Sequence, residues 1–502
     1  MTRPRLDNLD QSTFDVVVIG AGATGCASAK ELAGRGYSVL LIDRGDIGAG
    51  TSSRSSRLLY CGLAYMKPDY SLWKMPLRPL DMLGRIYRAW LTMRCRTELV
   101  RAMPERLTRR KFYFPYRERK DSGYPAALMS LGFRLLSCFG SRDAPLGYRR
   151  LPFEKAGRES GLVAALRSGV KSIGAFYEYQ YSWPERICVD TALEAESYGA
   201  CIRTYTKATS LEKNGKGWRL LVTDSAPGGS GEARISARVV INAAGPWIDQ
   251  VNSHSESGGS QREVLGVKGV NVLVKLPESF QGQGLEALSS RGEPFYIFPW
   301  GDYHFLGPTE TRVDADPDDV RVSEAEIAYL LSEANAQFSD LELKPRDVIH
   351  AWCGVRPSST RDGETLSGVI QLNEQPETPG LISVTGVMIM LHRHAGRLVA
   401  RTVARRLGAG HNGKSKDKGS KRRIVNSFTK TDIDRAVRTE HVVTLSDLMQ
   451  RRLPFGWDAD LGKSQVEEVS RIAAEALGWS EERRQEECKV YDDYVSDHFI
   501  HR

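Results

Sequence analysis

Phe14-Asp-Val-Val-Val-Ile-Gly20-Ala-Gly22-Ala-Thr-Gly25 is the stretch from which the fold is read. A short apolar strand ends in Gly-x-Gly-x-x-Gly, and a helix-favouring segment, residues 26–36, follows. A second apolar strand, residues 38–42, closes on Asp43. Each glycine has its own physical role. Gly20 permits a tight turn, Gly22 lets the backbone approach a pyrophosphate, and Gly25 lets helix and strand pack closely. The diphosphate then rests on free N–H groups at the positive end of the helix dipole. Asp43 lies 23 residues after Gly20, where a carboxylate accepts hydrogen bonds from ribose hydroxyls. The pattern predicts an α/β dinucleotide-binding domain.

Far downstream, Val239-Val-Ile-Asn-Ala-Ala-Gly245-Pro-Trp reads as a strand ending in small residues beside the same cofactor. Flavoproteins of the glutathione-reductase type have such a motif where the chain returns to the nucleotide domain. NAD-only dehydrogenases generally lack it, so the expected cofactor is FAD. The predicted fold is a Rossmann-type FAD-binding domain of the glutathione-reductase/D-amino-acid-oxidase kind, with an interleaved α+β substrate domain and a C-terminal helical domain. Within residues 1–407, segments near 1–65, 180–250 and 350–407 build the FAD domain. Segments near 66–180 and 262–345 build the substrate domain. Residues 408–424, basic and glycine-rich, read as a flexible linker, and 425–502 as the helical domain. Ser323-Glu-Ala-Glu326 reads as a capping box opening a helix.

With 502 residues, the chain has room for two or three domains of ~100–200 residues. Its 41% hydrophobic and 26% charged residues are those of an ordinary globular protein. The formal charge of +8 favours an anionic partner without choosing among phosphorylated substrate, membrane and nucleic acid. The basic tract at 414–423 has no aromatic residue for base stacking, which argues against nucleic acid. Residues 1–14 lack the apolar core of a secretory signal. The longest mostly apolar stretch, 381–391, falls short of the ~20 residues a spanning helix needs. Eight scattered cysteines without a Cys-x-x-Cys pair fit a reducing cytoplasm and predict no metal.

The motifs then point to a family. Gly50-Thr-Ser-Ser-Arg-Ser-Ser-Arg-Leu-Leu-Tyr-Cys-Gly-Leu-Ala-Tyr65, Leu306-Gly-Pro-Thr-Glu310, Cys353-Gly-Val-Arg-Pro357, Thr360-Arg361-Asp362 and Ala476-Leu-Gly-Trp479 occur in order. In these the chain resembles the FAD-dependent, quinone-linked glycerol-3-phosphate dehydrogenases over most of its length. The resemblance implies oxidation of a secondary alcohol of a small polyol phosphate, by default sn-glycerol 3-phosphate to dihydroxyacetone phosphate. It implies a small anionic substrate, a quinone as electron acceptor and peripheral contact with the inner face of the cytoplasmic membrane. A homodimer is left open. Residues 70–119, where basic side chains mix with Trp73, Met75, Trp90, Met93, Phe112 and Phe114, suit an anionic membrane, although a solvated basic face over an ordinary core is the expected state.

The FAD site is expected to draw on Gly20, Gly22, Thr24, Gly25, Asp43 and Arg44 from the fingerprint unit. Thr51, Ser52, Ser53, Ser55 and Arg57 follow from the next segment, and Ala208, Ala244, Gly245, Gly386 and Met388 from the returning chain. Arg356 is the candidate anion clamp, because guanidinium offers a bidentate fork. Arg361, Tyr65 and His392 complete the catalytic set, His392 as a proton acceptor titrating near neutrality. Three departures from the family stand out. Ala64 replaces an arginine near the substrate, and Met388 replaces a lysine beside flavin and substrate. Tyr60-Cys61 stands where the family has His-Gly. Each charged hydrogen bond lost in a buried site is worth ~1.5–3 kcal/mol, so phosphate binding needs other cations or the substrate carries less charge. Alternatives are an FAD enzyme of another hydroxy or amino compound, or an FAD-binding protein without the ancestral activity.

Overall fold

In the computed structural model, residues 3–63, 77–117, 126–255, 261–361, 364–366, 369–411 and 428–501 are described. The first strand, β1 (Thr13–Ile19), lies in the middle of a sheet. Its order is Gln371–Asn373, Leu381–Thr385, Glu232–Asn242, β1, β2 (Val39–Ile42) and Cys201–Arg203. All neighbours are parallel except the antiparallel edge strand Gln371–Asn373. A parallel sheet must be covered on both faces, and the alternation within β1 sorts its side chains accordingly. Val16 and Val18 join a cluster with Cys26, Ala29 and Leu32 of α1 (Ala23–Gly34), Ala192 of Pro184–Ser197 and Val399 of His392–Leu407. Val17 and Ile19 face the hairpin Thr206–Asn214/Gly217–Asp224 through Leu211, Trp218 and Leu220.

The second sheet is larger and mixed. It runs Glu364–Leu366, Val348–Arg361, Val264–Val274, Tyr303–Gly307, Pro294–Trp300, Gln283–Leu288, Leu107–Arg117, Val170–Tyr181 and Leu58–Leu59. Two boundaries therefore shift from the sequence expectation. Leu58–Leu59 pairs with Val170–Tyr181, and Val348–Arg361 pairs with Val264–Val274, so both strands belong to the second sheet. The reason is register: residues 348–359 of the long strand are hydrogen-bonded antiparallel along residues 264–274. The helix Glu324–Gln337 opens on the expected capping box, with Ser323 Oγ accepting from the Glu326 N–H and the Glu326 carboxylate accepting from the Ser323 N–H.

The C-terminal helices include Lys430–Thr439, Val466–Leu477 and Glu481–His498, the last capped by Ser480. One element there is not helical: Phe499–His501 adds a strand to Val348–Arg361. Residues 412–427, most of the expected linker, lie outside the described residues. Its first residues are fixed, since Tyr37 Oη donates to the Gly408 carbonyl at 2.5 Å.

Candidate active site

Five segments distant in sequence meet at the carboxyl ends of the parallel strands, where open α/β sheets bind ligands. The Gly20 N–H donates to the Ile42 carbonyl at 2.8 Å, and the Ala243 N–H to the Ile19 carbonyl at 2.8 Å. Gly20 has φ +101°, and a Cβ there would lie 2.6 Å from the Ala243 oxygen. At Gly25 a Cβ would lie 1.7 Å from the Gly20 oxygen, so no side chain fits between α1 and the loop. Asp43 is drawn in at the same point. Its Oδ2 accepts from the Ala21 N–H at 2.6 Å and its Oδ1 from the Gly45 N–H at 2.8 Å. Burial pushes the Asp43 carboxyl above its ordinary pKa, and these two N–H groups oppose that rise.

The turn Thr51–Ser53 closes over the helix start. Ser52 Oγ accepts from the Ala23 N–H at 3.0 Å, Thr51 Oγ1 donates to the Val355 carbonyl at 2.7 Å, and Ser53 Oγ donates to the Gly48 carbonyl. Ser55 Oγ accepts from the Arg57 N–H at 3.3 Å. Opposite, Ala244 precedes the turn Gly245–Trp247, and a Cβ on Gly50 would sit 3.1 Å from the Trp247 ring. The Arg44 guanidinium lies 4.7 Å from the centroid of that ring and pairs with Asp318 at 2.6 Å. Gly386 donates its N–H to the Pro357 carbonyl at 3.3 Å, bringing Gly386 and Met388 to the strand that carries Arg356.

The arrangement fits FAD. Helix α1 presents first-turn N–H groups that have no intrahelical partner, and Thr24 lies in that turn. In front of Gly22, the nearest atom to a Cβ would be Ser52 Oγ at 3.1 Å, so the cradle is lined by backbone and one hydroxyl. A family model described as FAD dependent oxidoreductase matches residues 15–402.

The chain belongs to the FAD-dependent oxidoreductase family.

A second family model, the C-terminal domain of alpha-glycerophosphate oxidase, matches residues 398–484 of this oxidoreductase. A glycerol-3-phosphate dehydrogenase of Synechocystis is 27% identical over 413 residues, covering 77% of this chain and 69% of that protein. A D-erythritol 1-phosphate dehydrogenase of Brucella abortus is 28% identical over 394 residues, covering 76% and 72%. Among solved structures, the glycerol-3-phosphate dehydrogenase from Bacillus halodurans complexed with FAD shares the fold with a TM-score of 0.72. It is 20% identical, with 98% of this chain and 96% of that chain covered. FAD is the cofactor of the family and of this oxidoreductase.

The remaining expected residues divide. Arg356 is 45% exposed, with Nη1 on Glu310 Oε1 at 2.7 Å and Nη2 on the Thr309 carbonyl at 3.3 Å. Two segments quoted for the family resemblance thus form one ion pair. Arg361 ends the same strand, opposite Glu364 in register. Tyr65 and Ala64 lie outside the described residues. Arg57, expected at the cofactor, is instead turned into the core. It is 1% exposed, pairs with Glu185 at 2.8 Å, and is sandwiched by Trp300 and Trp457 at 4.8 and 3.7 Å. Ala208 packs in the apolar layer between sheet and hairpin. His392 is buried at the start of its helix, with Nδ1 on the Ile389 carbonyl at 2.5 Å, which assigns the proton to Nδ1. Burial pushes its pKa down to about 4, so it is neutral near pH 7 rather than titrating there. Trp247, Asp318 and Glu310 were given no role by sequence reasoning. Trp247 directly follows the Gly245-Pro signal, which could have marked it. The two acids pair with arginines through tertiary structure alone.

Proposed function

We propose that this oxidoreductase oxidises a secondary alcohol of a small polyol phosphate, by default sn-glycerol 3-phosphate to dihydroxyacetone phosphate. The reading is supported by a half-exposed Arg356 on the strand tied to Thr51 and Gly386, both expected at the cofactor. Bound FAD accepts the hydride; the chain binds and orients. The Arg356–Glu310 pair, about half exposed on both sides, is worth ~0–1 kcal/mol. A phosphate in the same fork gains ~1.5–3 kcal/mol per charged hydrogen bond. The balance favours exchange: phosphate displaces Glu310 and the substrate is anchored with its alcohol inward. Arg361 would supply a second cation.

Two further lysines, Lys268 and Lys207, are committed elsewhere or remote. Lys268 Nζ donates to Glu326 Oε2 at 2.7 Å, and Lys207 is exposed on the hairpin. The relatives named for glycerol 3-phosphate and erythritol 1-phosphate differ in chain length, and the missing cations at 64 and 388 suit either a longer polyol phosphate or glycerol 3-phosphate held by Arg356. A quinone acceptor and a membrane-facing surface belong to the same proposal. Leu77, Leu80, Leu83 and Tyr87 are 72%, 82%, 61% and 55% exposed at the start of Pro79–Ala102, beside the basic Arg88. Met93, Phe112 and Phe114 are core residues, Trp90 stacks on Tyr87, and Trp73 and Met75 lie outside the described residues. No helix of the described residues is long and apolar enough to cross a membrane. The test is anaerobic bleaching of flavin absorbance near ~450 nm by glycerol 3-phosphate, erythritol 1-phosphate, free polyols and amino acids. Bleaching by a polyol phosphate alone is expected; bleaching only by an amino acid overturns the reading.

A further inference from the structure

The second sheet encloses two carboxylic acids. Glu178, on Val170–Tyr181, is fully buried, and Glu286, on Gln283–Leu288, is 4% exposed. One cation reaches them among the described residues. Arg96 Nη2 lies 3.6 Å from Glu178 Oε2, while its hydrogen bonds go to the carbonyls of Ala144 and Tyr177 at 3.0 and 2.6 Å. The Cys61 N–H donates to Glu178 Oε1 at 2.9 Å, and Tyr296 Oη donates to Glu286 Oε1 at 3.2 Å. Oε2 of each acid accepts no hydrogen bond. Two ionised carboxylates against one guanidinium in the interior are unfavourable, so the pair retains a proton. Burial raises Glu178 to about 7. Burial, with the charge of Glu178, raises Glu286 to about 8. Burial also raises the Cys61 thiol and the Tyr296 hydroxyl, which therefore stay protonated.

A path leads from this pair toward the cleft. Tyr60 hydrogen-bonds to Tyr296, with the rings edge to face at 6.3 Å. Tyr60 is half-buried, directly follows Leu58–Leu59, and packs on the same apolar cluster as Val387 and Met388. Those two residues follow Gly386, which is tied to the strand of Arg356. The chain Tyr60–Tyr296–Glu286 thus has one end on the apolar cluster that also carries Val387 and Met388 and the other at the buried acid pair.

We propose that Tyr60, Tyr296 and Glu286 form a proton relay that carries the substrate hydroxyl proton into the buried acid pair, with Glu178 as its second member. The inference rests on the alcohol-oxidation reading above. In the step, the carbinol C–H bond breaks and its electron pair leaves with the hydride to FAD. The O–H bond breaks as its proton passes to the Tyr60 oxygen. Tyr60 hands its own proton to Tyr296, and Tyr296 its proton to Glu286. The alcohol becomes a ketone, and Glu286, which accepts the proton in its ionised form toward the alkaline end of the range, becomes the acid. Tyr60 is the member that would touch substrate; Tyr296, Glu286 and Glu178 are positioning and storage residues.

The experiment is rapid-mixing anaerobic flavin reduction of the holoenzyme by glycerol 3-phosphate and erythritol 1-phosphate across pH 6–9, with wild type, Tyr296→Phe and Glu286→Gln. Tyr296→Phe removes a single hydroxyl, so it guards against a folding defect in the carboxyl variant. The wild-type rate should rise with pH as the acid pair ionises. Both variants should lose that rise and fall about tenfold or more at pH 8, with substrate Kd unchanged. Infrared spectra of the oxidised holoenzyme at pH 6, below the range in which the pair ionises and the relay runs, give a readout without turnover: a protonated-carboxyl C=O stretch that loses the Glu286 component in Glu286→Gln. A Tyr296→Phe enzyme with wild-type rate and pH profile overturns the relay and leaves the substrate reading standing. A wild-type flavin that neither polyol phosphate reduces overturns the substrate reading, and the relay with it. An unchanged infrared band in Glu286→Gln overturns the buried proton store by itself.

Discussion

Replacing Asp46 by asparagine should detach the cofactor loop from the C-terminal helices. Asp46 lies between Asp43 and Thr51–Ser53 and is 1% exposed. Its Oδ2 accepts from Arg451 Nε at 2.5 Å and from Arg452 Nη1, and its Oδ1 accepts from Arg452 Nη2 at 2.8 Å. Arg451 also pairs with Asp447 at 2.9 Å, so two buried guanidiniums face two carboxylates. Asp46→Asn leaves two cations and one anion in the interior. Removing one partner of a buried pair costs ~3–5 kcal/mol, or roughly 10² to several 10³-fold in the unfolding equilibrium at about 1.4 kcal/mol per decade. The same loop holds the fingerprint, since the Gly48 N–H donates to the Ala21 carbonyl at 2.9 Å; FAD affinity should fall as well. Denaturant unfolding followed by flavin fluorescence measures both. A double variant, Asp46→Asn with Arg452→Met, should lose less than the sum of the singles, because the orphaned cation is gone. Burial would raise the Asp46 pKa, but Arg452 and Arg451 hold it below the ordinary value. Its stabilisation is therefore complete above the unfolded value of ~3.9 and lost as pH falls through the lower folded value. A loss under about 1 kcal/mol for Asp46→Asn, the range of an exposed pair, would refute the reasoning.

Gly25→Val should yield protein purified without flavin, because a Cβ there meets the Gly20 oxygen at 1.7 Å; the absorbance spectrum decides it. Arg356→Ala should raise KM for a phosphorylated substrate ~10–100-fold, from one charged contact worth ~1.5–3 kcal/mol, with little change for its dephosphorylated analogue. Glu178 and Glu286, raised to about 7 and about 8 by burial, hold protons that the unfolded chain has released above ~4.3. The pair's contribution to stability should therefore be complete below that value and decline as pH rises to about 8. Thermal melts of a Glu178→Gln/Glu286→Gln variant should lack that decline.

The fingerprint was legible because its signal is local: an apolar run, three glycines and an acid at set spacing fix one strand–turn–helix, and Gly20 and Gly25 sit where only glycine fits. The capping box at Ser323 was legible for the same reason. Sheet membership was not. Nothing within Val348–Arg361 shows that it pairs with Val264–Val274, since pairing depends on a partner about 80 residues away. Arg57 illustrates a second limit. A cation between Ser56 and Leu58 reads as a pocket residue until Glu185, Trp300 and Trp457 close on it from three other segments. Glu178 carried a usable hint: it alternates with Phe176 and Gln180 on one face of its strand, so an acid occupies an inward position. His392 gave no hint of its burial, because one helix start looks like another until the neighbouring helix α1 covers it.

The strand order of the FAD sheet has a consequence for how the protein is made. β1 lies between β2 and Glu232–Asn242, and Leu381–Thr385 completes the parallel set on the far side of Glu232–Asn242. The ribosome therefore delivers the fingerprint and β2 long before Glu232–Asn242, the other neighbour of β1, and the cofactor cleft closes only after residue 386 has emerged. Loop closure over such separations is slow, and an early strand with unpaired edges is a target for wrong pairing. A nascent chain stalled before Leu381–Thr385 would display the complete glycine motif and still bind no FAD, so cofactor capture marks the end of synthesis of this domain rather than its beginning.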